Sequence, residues 1–334
     1  LPAHHELLEA AGKAAQRHGL ELFLVGGAVR DLLLGRSVLD LDLAAVGLTE
    51  ARLQALAGDL GGRVTAQSQF GTAKLDAGGS RVDLAMARKE SYSAPGALPE
   101  VSPGSMEDDL ARRDLTINAM AVSLMPDSWG GLLDTHDGRH DLESGLVKVL
   151  HPRSFVDDAT RILRAVRYSA RLDFRIEAAT LTALRRDLRY LDAIKGDRVR
   201  HELERIFDEE RATSALAMAR DLGVLRAIDP ALAVEDGTLE RLSTSGVEAS
   251  DRALLFMSAL AYPVSSSDAA RLTTRLNLDS RGARAVRDSQ SISESADELR
   301  SPGLRPRRLH GLLNRLDPVA VQGASLTVSD LELT

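Results

Sequence analysis

Two aspartates, Asp40 and Asp42, stand two positions apart in a segment that otherwise alternates with leucine over residues 39–43. The alternation predicts a β-strand over residues 38–44, and a period of two places both carboxylates on one face of that strand. Two carboxylates held this close repel one another, and the usual compensation is a divalent cation such as Mg²⁺. An Asp-x-Asp pair is also common on the solvated side of an edge strand, so the spacing alone leaves both interpretations open.

A glycine turn lies upstream of these aspartates. A short apolar run ends at Gly26 and Gly27, and a predicted helix over residues 28–34 follows, with Arg30 near its start. Strand, double glycine and helix together present backbone N–H groups and a helix N-terminus to an anion. The segment is neither a P-loop nor a dinucleotide fingerprint, and a double glycine alone is also an ordinary tight turn. An anion site beside paired carboxylates is nevertheless what phosphoryl or nucleotidyl transfer requires.

Three further residues could complete such a site. Asp83 lies on a predicted strand over residues 81–87 and offers a third carboxylate, although an ordinary solvent-facing aspartate would fit the same pattern. Arg112 and Arg113 stand just before a segment of small residues that we expect to be largely buried. Adjacent guanidinium groups suit contacts to phosphate or ribose oxygens.

A predicted helix beginning near residue 158 carries four arginines, Arg161, Arg164, Arg167 and Arg171. At about 100° per residue they fall within an arc of about 120°, which forms a basic stripe. Asp158 lies one turn before Arg161, so a carboxylate acceptor and a guanidinium donor stand side by side. Such a pair can read the Watson–Crick edge of a base. Salt bridges along a solvated helix would give the same spacing.

The charge of the chain restricts where a polyanion could bind. The 334 residues include 42 basic and 49 acidic side chains, a net charge of −7, so any nucleic-acid site must be a local basic patch. A second arginine cluster near the C-terminus contains Arg300, Arg305, Arg307, Arg308 and Arg315. These arginines could contact an RNA backbone, or they could simply lie on a solvent-exposed connecting segment.

Composition and patterning indicate a globular protein of two parts. The chain is 44% hydrophobic with only 3% aromatics and no cysteine, which favours a core of aliphatic residues and fits a reducing, cytoplasmic compartment. No apolar stretch reaches the length of a membrane span, and we expect no membrane partner. Short strands alternate with helices over residues 1–150, a loop is predicted over residues 91–105, and the remainder is predicted to be almost entirely helical.

Several motifs in order resemble those of the class II tRNA nucleotidyltransferases, the CCA-adding enzymes, and the related bacterial poly(A) polymerases. The family's metal and triphosphate motif is similar to residues 26–35 followed by Asp40 and Asp42. A later family motif is similar to residues 109–121, and its Glu-Asp-x-x-Arg template motif is matched by residues 157–161, with Asp157 in place of the usual Glu. Residues 196–203 and 223–225 are similar to its neck and body helices.

The resemblance implies an α+β nucleotidyltransferase head at residues 1–150, a helical neck with the template helix at 151–225, and a helical body and tail at 226–334. It also implies two Mg²⁺ ions held chiefly by Asp40 and Asp42. The 3′-hydroxyl of the tRNA acceptor end would attack the α-phosphate of CTP or ATP and release pyrophosphate. By that similarity Asp158 and Arg161 would pair with the incoming base.

The residues and the resemblance together assign three groups of side chains. The catalytic carboxylates are Asp40, Asp42 and Asp83. The residues expected to bind nucleotide are Gly26, Gly27, Arg30, Arg112, Asp114, Asn118, Asp158, Arg161, Arg164 and Arg167. The residues expected to bind RNA are Arg113, Arg171, Arg305, Arg307 and Arg308.

The choice of nucleotides stays open at this point. The family contains full CCA-adding, CC-adding and A-adding enzymes, and a partial enzyme would imply a complementary enzyme acting separately. The difference lies partly in a head loop, here residues 89–108, whose sequence does not decide it. A poly(A) polymerase shares the head motifs but usually has a basic extension that this sequence lacks. The sequence is also compatible with a nucleotidyltransferase that acts on a small molecule and with an inactive RNA-binding protein.

Overall fold

A computed structural model describes residues 4–38, 40–68, 71–301 and 303–327 of the chain. The chain forms two compact units, Leu1–Ser154 and Phe155–Thr334. The first unit combines a mixed sheet with helices, and the second is almost entirely helical. This confirms the predicted fold class. The further division of the helical part at residue 225 stays a prediction.

A seven-stranded sheet organises the first unit, with the strand order β3-β4-β5-β2-β1-β8-β9. Strands β2 and β5 are parallel, and the other neighbouring strands are antiparallel. Strands β6 and β7 pair separately as a hairpin. The strands are β1 (Glu21–Val25), β2 (Leu41–Val46), β3 (Arg63–Gln67), β4 (Thr72–Ala77), β5 (Ser80–Met86), β6 (Arg88–Ser91), β7 (Glu100–Pro103), β8 (Ala121–Ser123), β9 (Leu132–Leu133) and β10 (Leu146–Val147).

Helices cover the two faces of this sheet unequally. The helices of the first unit are α1 (His5–Arg17), α2 (Gly27–Leu33), α3 (Glu50–Asp59), α4 (Met106–Ala111) and α5 (Gly138–Glu143). Alternation along β4 buries Ala73 and Leu75 and exposes Thr72 and Lys74, as expected for a sheet with one packed face. On the other face, Met106 and Leu110 of α4 pack over Val25 of β1 and Ala44 of β2. The exposed side chains of β3, β4 and β5 therefore form an open face next to α4.

The second unit is built from helices packed around aliphatic side chains. Helix α7 packs against α9 and α10, and α13 packs against α15 and α18. Phe207 and Phe256, which join α9 to α13, stack with ring centroids 5.3 Å apart. Its elements are α7 (Thr160–Leu172), β11 (Arg175–Ile176), α8 (Ala178–Asp187), α9 (Gly196–Phe207), α10 (Ala212–Asp221), α11 (Val224–Ile228), α12 (Asp236–Ser243), α13 (Ala249–Ala261), α14 (Ser266–Arg275), α15 (Ser280–Glu294), α16 (Ala296–Leu299), α17 (Pro306–Leu313) and α18 (Pro318–Thr327), with α6 (Ser154–Asp157) at the boundary.

Two sequence predictions differ from the structure. The strand expected over residues 38–44 begins at Leu41, so Asp40 precedes it, while Leu39 lies outside the described residues. The loop expected over residues 91–105 contains β7, which pairs with β6, and α4 begins at Met106. The prolines and glycines that suggested a loop are compatible with a short two-stranded hairpin because its ends pair over only four residues. Across the described part of the chain, the helices are all too short or too polar to span a bilayer.

Candidate active site

Three carboxylates meet at one end of strand β2. Asp42 of β2 lies directly opposite Asp83 of β5 in the parallel register. Directly opposed residues of neighbouring strands project from the same face of a sheet. Asp42 is half-buried, while Asp83 and Asp40 are exposed. The structure therefore brings the three predicted catalytic residues to one region of the first unit.

The electrostatics of Asp42 reflect this clustering. Its pKa is raised, first by burial and then by the charge of Asp83, with a smaller contribution from Asp40. Arg113 opposes the shift and lowers the pKa. A raised pKa means that the ionised carboxylate is disfavoured, which is the condition that a bound cation relieves. Among the described residues, no three His, Cys, Asp or Glu side chains are arranged as a metal-binding group.

A glycine turn lies at the same edge of the sheet as Asp42. Strands β1 and β2 pair with Leu24 opposite Leu43, so the chain leaving β1 at Gly26 passes the end of β2 where Asp42 stands. Gly26 has a φ of 67°, in the left-handed region that favours glycine. A Cβ at this position would lie 2.7 Å from Nη1 of Arg113. Gly26 is therefore required both by its backbone conformation and by the close approach of Arg113.

Arg30, Asn118 and Asp114 form a buried network behind this turn. Arg30 is only 2% exposed, and its Nη1 donates to Oδ1 of Asn118 at 2.7 Å. Its Nε and Nη2 donate to Asp31 at 2.9 and 3.0 Å. Asn118 Nδ2 in turn donates to Asp114 Oδ1 at 3.3 Å. These contacts hold α2 against residues 114–118 and thereby support the Gly26–Gly27 turn.

The two adjacent arginines share one buried carboxylate. Asp109, whose side chain is 0% exposed, accepts from Arg112 Nη2 at 2.6 Å and from Arg113 Nη2 at 2.9 Å. Arg112 also reaches Glu90 of the hairpin at 3.2 Å. Arg113 does not contact the hairpin in this way; its Nη1 donates to the backbone carbonyl of Asn118 at 3.4 Å. Arg113, predicted to bind RNA, thus lies at the glycine turn, and Arg112 is tied to the hairpin.

Asp109 and Glu90 were not among the residues that the sequence predicted for this site. Asp109 stands three and four residues before the arginines on one helical turn, a spacing that predicts ion pairs. Glu90 carries no such local signal, because its contact with Arg112 joins residues 22 positions apart.

In the second unit, the arginines of the predicted basic stripe on α7 lie against acidic side chains, and two of them are buried. Arg161 and Arg167 are only 5% and 7% exposed. Arg167 Nη1 pairs with Glu209 at 3.0 Å, and Arg164 lies 3.6 Å from Glu202. The physical reason is that α9 and the turn after it place glutamates along this face. Spacing on α7 alone could not reveal those partners.

Arg171, at the far end of the same helix, is more accessible. Its side chain is 41% exposed, and its Nη1 lies 3.7 Å from Glu209. Of the four arginines on α7, it is the one whose guanidinium is most open to solvent.

Asp158 lies just before α7, and its backbone carbonyl accepts from the Arg161 amide at 3.1 Å in the first turn. Asp158 Oδ1 accepts from the amide and the hydroxyl of Thr160 at 3.0 and 2.7 Å. Its Oδ2 accepts from Arg198 Nη2 of α9 at 2.8 Å. The carboxylate is therefore held in a fixed orientation from both sides. Arg198 is a further residue of this site, and its only signal in the sequence is its place in the motif at residues 196–203.

The C-terminal arginines differ in their partners. Arg308 of α17 makes a two-pronged ion pair with Glu298, with distances of 2.6 and 3.0 Å. Arg305 and Arg307, at the start of the same helix, are exposed.

Paired carboxylates beside a glycine turn on a small mixed sheet, with a second, helical unit in which Thr160 and Arg198 hold the Asp158 carboxylate, define a nucleotidyltransferase type of head with a helical partner unit. Residues 22–148 match the family described as Poly A polymerase head domain. Residues 173–235 match the family described as Probable RNA and SrmB- binding site of polymerase A.

Curated relatives agree with this class. An A-adding tRNA nucleotidyltransferase of Halalkalibacterium halodurans is 42% identical over 230 residues, covering 67% of this chain and 54% of that protein. A CC-adding tRNA nucleotidyltransferase of Deinococcus radiodurans is 34% identical over 294 residues, covering 88% of this chain and 75% of that protein. The chain spans about half or less of the length of the A-adding relatives.

Solved structures of CCA-adding enzymes are similar to this chain. An apo form of a CCA-adding enzyme has a TM-score of 0.87 at 29% identity, covering 100% of this chain and 81% of that one. A CCA-adding enzyme in complex with CTP has a TM-score of 0.82 at 27% identity, covering 98% and 79%. The chain belongs to the class II CCA-adding family of tRNA nucleotidyltransferases.

Proposed function

We propose that this protein transfers nucleotides from CTP, ATP or both to the 3′ end of tRNA. The observation that carries the proposal is the placement of Asp42 opposite Asp83, with Asp40 and the Gly26 turn at the same edge of the sheet. The relatives named A-adding and CC-adding tRNA nucleotidyltransferase support the same reaction. The complexes of CCA-adding enzymes with CTP and ATP support the nucleotide substrates.

The reaction forms and breaks one bond each at the α-phosphorus. The 3′-hydroxyl oxygen of the RNA bonds to the α-phosphorus, the bond from that phosphorus to the bridging oxygen breaks, and pyrophosphate leaves. Asp40 and Asp42 fit a Mg²⁺ site, because burial and then the charges of Asp83 and Asp40 raise the pKa of Asp42, and a bound cation would offset the repulsion among these carboxylates. Two Mg²⁺ ions bound there would neutralise the attacking and leaving oxygens.

The first unit supplies the groups that hold the nucleotide. Amides at the start of a helix have no intrahelical partners, so those following Gly26 are suited to phosphate oxygens. Arg113 lies against Gly26 and lowers the pKa of Asp42, which puts a positive charge at the same place. We assign the triphosphate to Gly26, Gly27 and Arg113. The glycine turn that binds it is held in place by Arg30, Asp114 and Asn118.

Base selection belongs to the second unit in this proposal. Asp158 accepts from an exocyclic amine and Arg161 donates to ring acceptors, as on a Watson–Crick edge. Thr160 and Arg198 fix the Asp158 carboxylate, and a fixed acceptor discriminates better between donors and acceptors on a base than a mobile one. Arg164 and Arg167 contribute charge near the nucleotide and are held by Glu202 and Glu209.

The experiment incubates the protein with Mg²⁺ and three tRNA transcripts that end at the discriminator base, at C and at CC. Each transcript receives CTP, ATP or both, and the products are resolved to one nucleotide. Growth of all three to CCA would establish a full CCA-adding enzyme. Stopping at CC, or adding one A to the CC transcript alone, would establish a partial enzyme and imply a complementary enzyme in the same cytoplasm.

Two variants serve as controls in that experiment. Asp40→Ala and Asp42→Asn should abolish transfer while leaving tRNA binding in a filter assay unchanged. Untemplated addition of many adenosines would indicate a poly(A) polymerase. Failure of the wild-type protein to extend any transcript would refute the proposal, and transfer by the variants at the wild-type rate would refute the metal assignment.

A further inference from the structure

A charged cavity lies on the open face of the sheet, beside the carboxylates. It has a volume of about 330 Å³, within the range of roughly 300–1,000 Å³ typical of ligand sites. Its polar lining comes from β3, β4, β5 and the residue before β2, and consists of Asp40, Thr65, Lys74, Asp76, Arg81 and Asp83. The cavity therefore shares two carboxylates with the candidate active site and adds two cations, Lys74 and Arg81, and one further carboxylate, Asp76.

The strand register explains why these side chains converge. Asp83 of β5 pairs with Asp42 on one side and with Lys74 of β4 on the other. The three residues therefore form one row across the sheet, and Lys74 Nζ lies 3.9 Å from Asp83 Oδ1. Arg81 and Asp76 form the next row on the same face. Side chains two positions apart on a strand share a face, so both rows point into the cavity.

The cations of the cavity are accessible. Lys74 is 68% exposed, and the Asp83 carboxylate that it approaches at 3.9 Å is itself 57% exposed. An ion pair this long and this open to water contributes little to stability. Lys74 is therefore available to a phosphate, and Arg81, also exposed, stands two residues before Asp83.

The order of the strands in the sheet indicates which part of the substrate this cavity binds. The triphosphate site proposed above follows β1, on one side of Asp42, and the cavity lies over β5, β4 and β3, on the other side. In phosphoryl transfer the attacking and leaving oxygens lie roughly in line across the phosphorus. With the pyrophosphate on the β1 side, the attacking hydroxyl must arrive from the β5 side, where the cavity is.

We propose that this cavity binds the 3′-terminal nucleotide of the acceptor RNA, with Lys74 and Arg81 contacting the phosphate that joins it to the preceding nucleotide. Asp83 then faces the 3′-hydroxyl, and Thr65 lies near the ribose. The inference rests on the proposed function and names the part of the substrate that the first unit holds. Lys74 and Arg81 are positioning residues, because they place the attacking hydroxyl and do not touch the reacting phosphorus.

The test compares Lys74→Ala, Lys74→Arg and Arg81→Ala with the wild-type protein in single-turnover extension of tRNA. We expect Lys74→Ala to raise the tRNA concentration that gives half-maximal rate about tenfold, because one charge-assisted contact is lost. The concentration of CTP or ATP that gives half-maximal rate should stay unchanged. Lys74→Arg should recover most of the loss. Lys13→Ala is the matched control, since Lys13 is an exposed lysine of α1 that pairs with Glu9.

A second substrate identifies the contacted group. A tRNA whose last internucleotide phosphate is replaced by an uncharged methylphosphonate should show the same rate with wild-type protein and with Lys74→Ala. If Lys74→Ala slows extension equally on the charged and the uncharged linkage, the inference is overturned. It is also overturned if the substitution changes only the concentration of CTP or ATP that gives half-maximal rate. Arg81→Ala repeats the comparison if Lys74→Ala is not folded by circular dichroism.

The result with wild-type protein distinguishes a failure of the acceptor site from a failure of the proposed function. If the wild-type protein extends tRNA and Lys74→Ala and Arg81→Ala both behave like Lys13→Ala, only the acceptor site is wrong. If the wild-type protein extends no tRNA, the proposed function is wrong and the acceptor site is overturned with it.

Discussion

The guanidinium of Arg30 and the side-chain carbonyl of Asn118, 88 positions apart in sequence, form a buried hydrogen bond of 2.7 Å. The bond connects the helix after the glycine turn to the segment that follows the two arginines. Because Asn118 also donates to Asp114, its amide joins a buried cation to a buried carboxylate. The turn that passes Asp42 is thus supported by residues from two distant parts of the chain.

Asn118→Ala should destabilise the first unit by about 1.5–3 kcal/mol, because a buried hydrogen bond to a charged group is lost. The measurement is the free energy of unfolding in urea, followed by circular dichroism. Gln54→Ala is the control, since Gln54 is exposed on α3 and donates to Glu50 on the surface of the same helix. We expect the control to change stability by no more than about 0.5 kcal/mol. Equal stability of both variants would show that the network does not support the turn.

The raised pKa of Asp42 predicts a pH dependence of stability. The folded protein holds the Asp42 proton more tightly than the unfolded chain, so this group stabilises the fold below its ordinary pKa. That contribution is lost as the pH rises through the raised pKa, where the buried carboxylate ionises beside Asp83. Asp42→Asn should therefore raise the unfolding midpoint at pH 7 and have a smaller effect in acid.

The measurement is urea unfolding of both proteins in EDTA from pH 7 down to the lowest pH at which the fold persists. The EDTA removes divalent cations, which would otherwise mask the repulsion between the carboxylates. A stability difference that stayed constant over this range would contradict the assignment of the shift to burial and to Asp83.

Arg161→Ala should loosen the choice among nucleotides. Arg161 is only 5% exposed and stands three residues after Asp158, and in the proposed function its loss removes a donor to the base, so we expect selectivity for the cognate nucleotide over UTP and GTP to fall about tenfold. The measurement is the ratio of kcat/KM values for the four nucleotides on one tRNA. Arg226→Ala, an exposed arginine of α11, is the control. Unchanged ratios in Arg161→Ala would exclude the template role.

Arg198→Ala tests how Asp158 is oriented. The substitution removes the 2.8 Å bond from Arg198 Nη2 to Oδ2 of Asp158 and keeps the two bonds from Thr160 to Oδ1. We expect selectivity to fall less than in Arg161→Ala, with kcat for the cognate nucleotide reduced. A larger selectivity loss in Arg198→Ala than in Arg161→Ala would indicate that Arg198 itself contacts the base.

The C-terminal arginines predict unequal effects on RNA binding. A plot of log affinity for tRNA against log salt concentration has a negative slope. Each of Arg305→Ala and Arg307→Ala should make that slope less steep by about one, as expected for one lost phosphate contact. Arg308→Ala should have a smaller effect, because its guanidinium is already paired with Glu298. The measurement is filter binding of tRNA over a series of salt concentrations. A slope unchanged in all three variants would remove this cluster from the RNA-binding surface.

Local patterns in the sequence determined the parts of this protein that depend on neighbouring residues. The Asp-x-Asp spacing, the double glycine and the position of Asp158 before Arg161 each predict a local geometry, because a strand or helix fixes side-chain direction over a few residues. The division into a mixed head and a helical remainder follows from the same periodicities. The Asp-x-Asp strand, the glycine turn and the division into two parts agree with the structure, apart from the start of β2 after Asp40.

Tertiary structure alone decided which charges remain available. The sequence predicts that Arg30 and Arg167 bind nucleotide, yet both are buried in the structure. Arg30 donates to Asn118 and Arg167 pairs with Glu209, and both partners lie far away along the chain. Conversely, Lys74 became a candidate site residue only because β4 pairs with β5, which places it in the row of Asp83. The physical reason is that strand pairing and helix packing join residues without local periodicity, so their contacts leave no pattern in a single sequence.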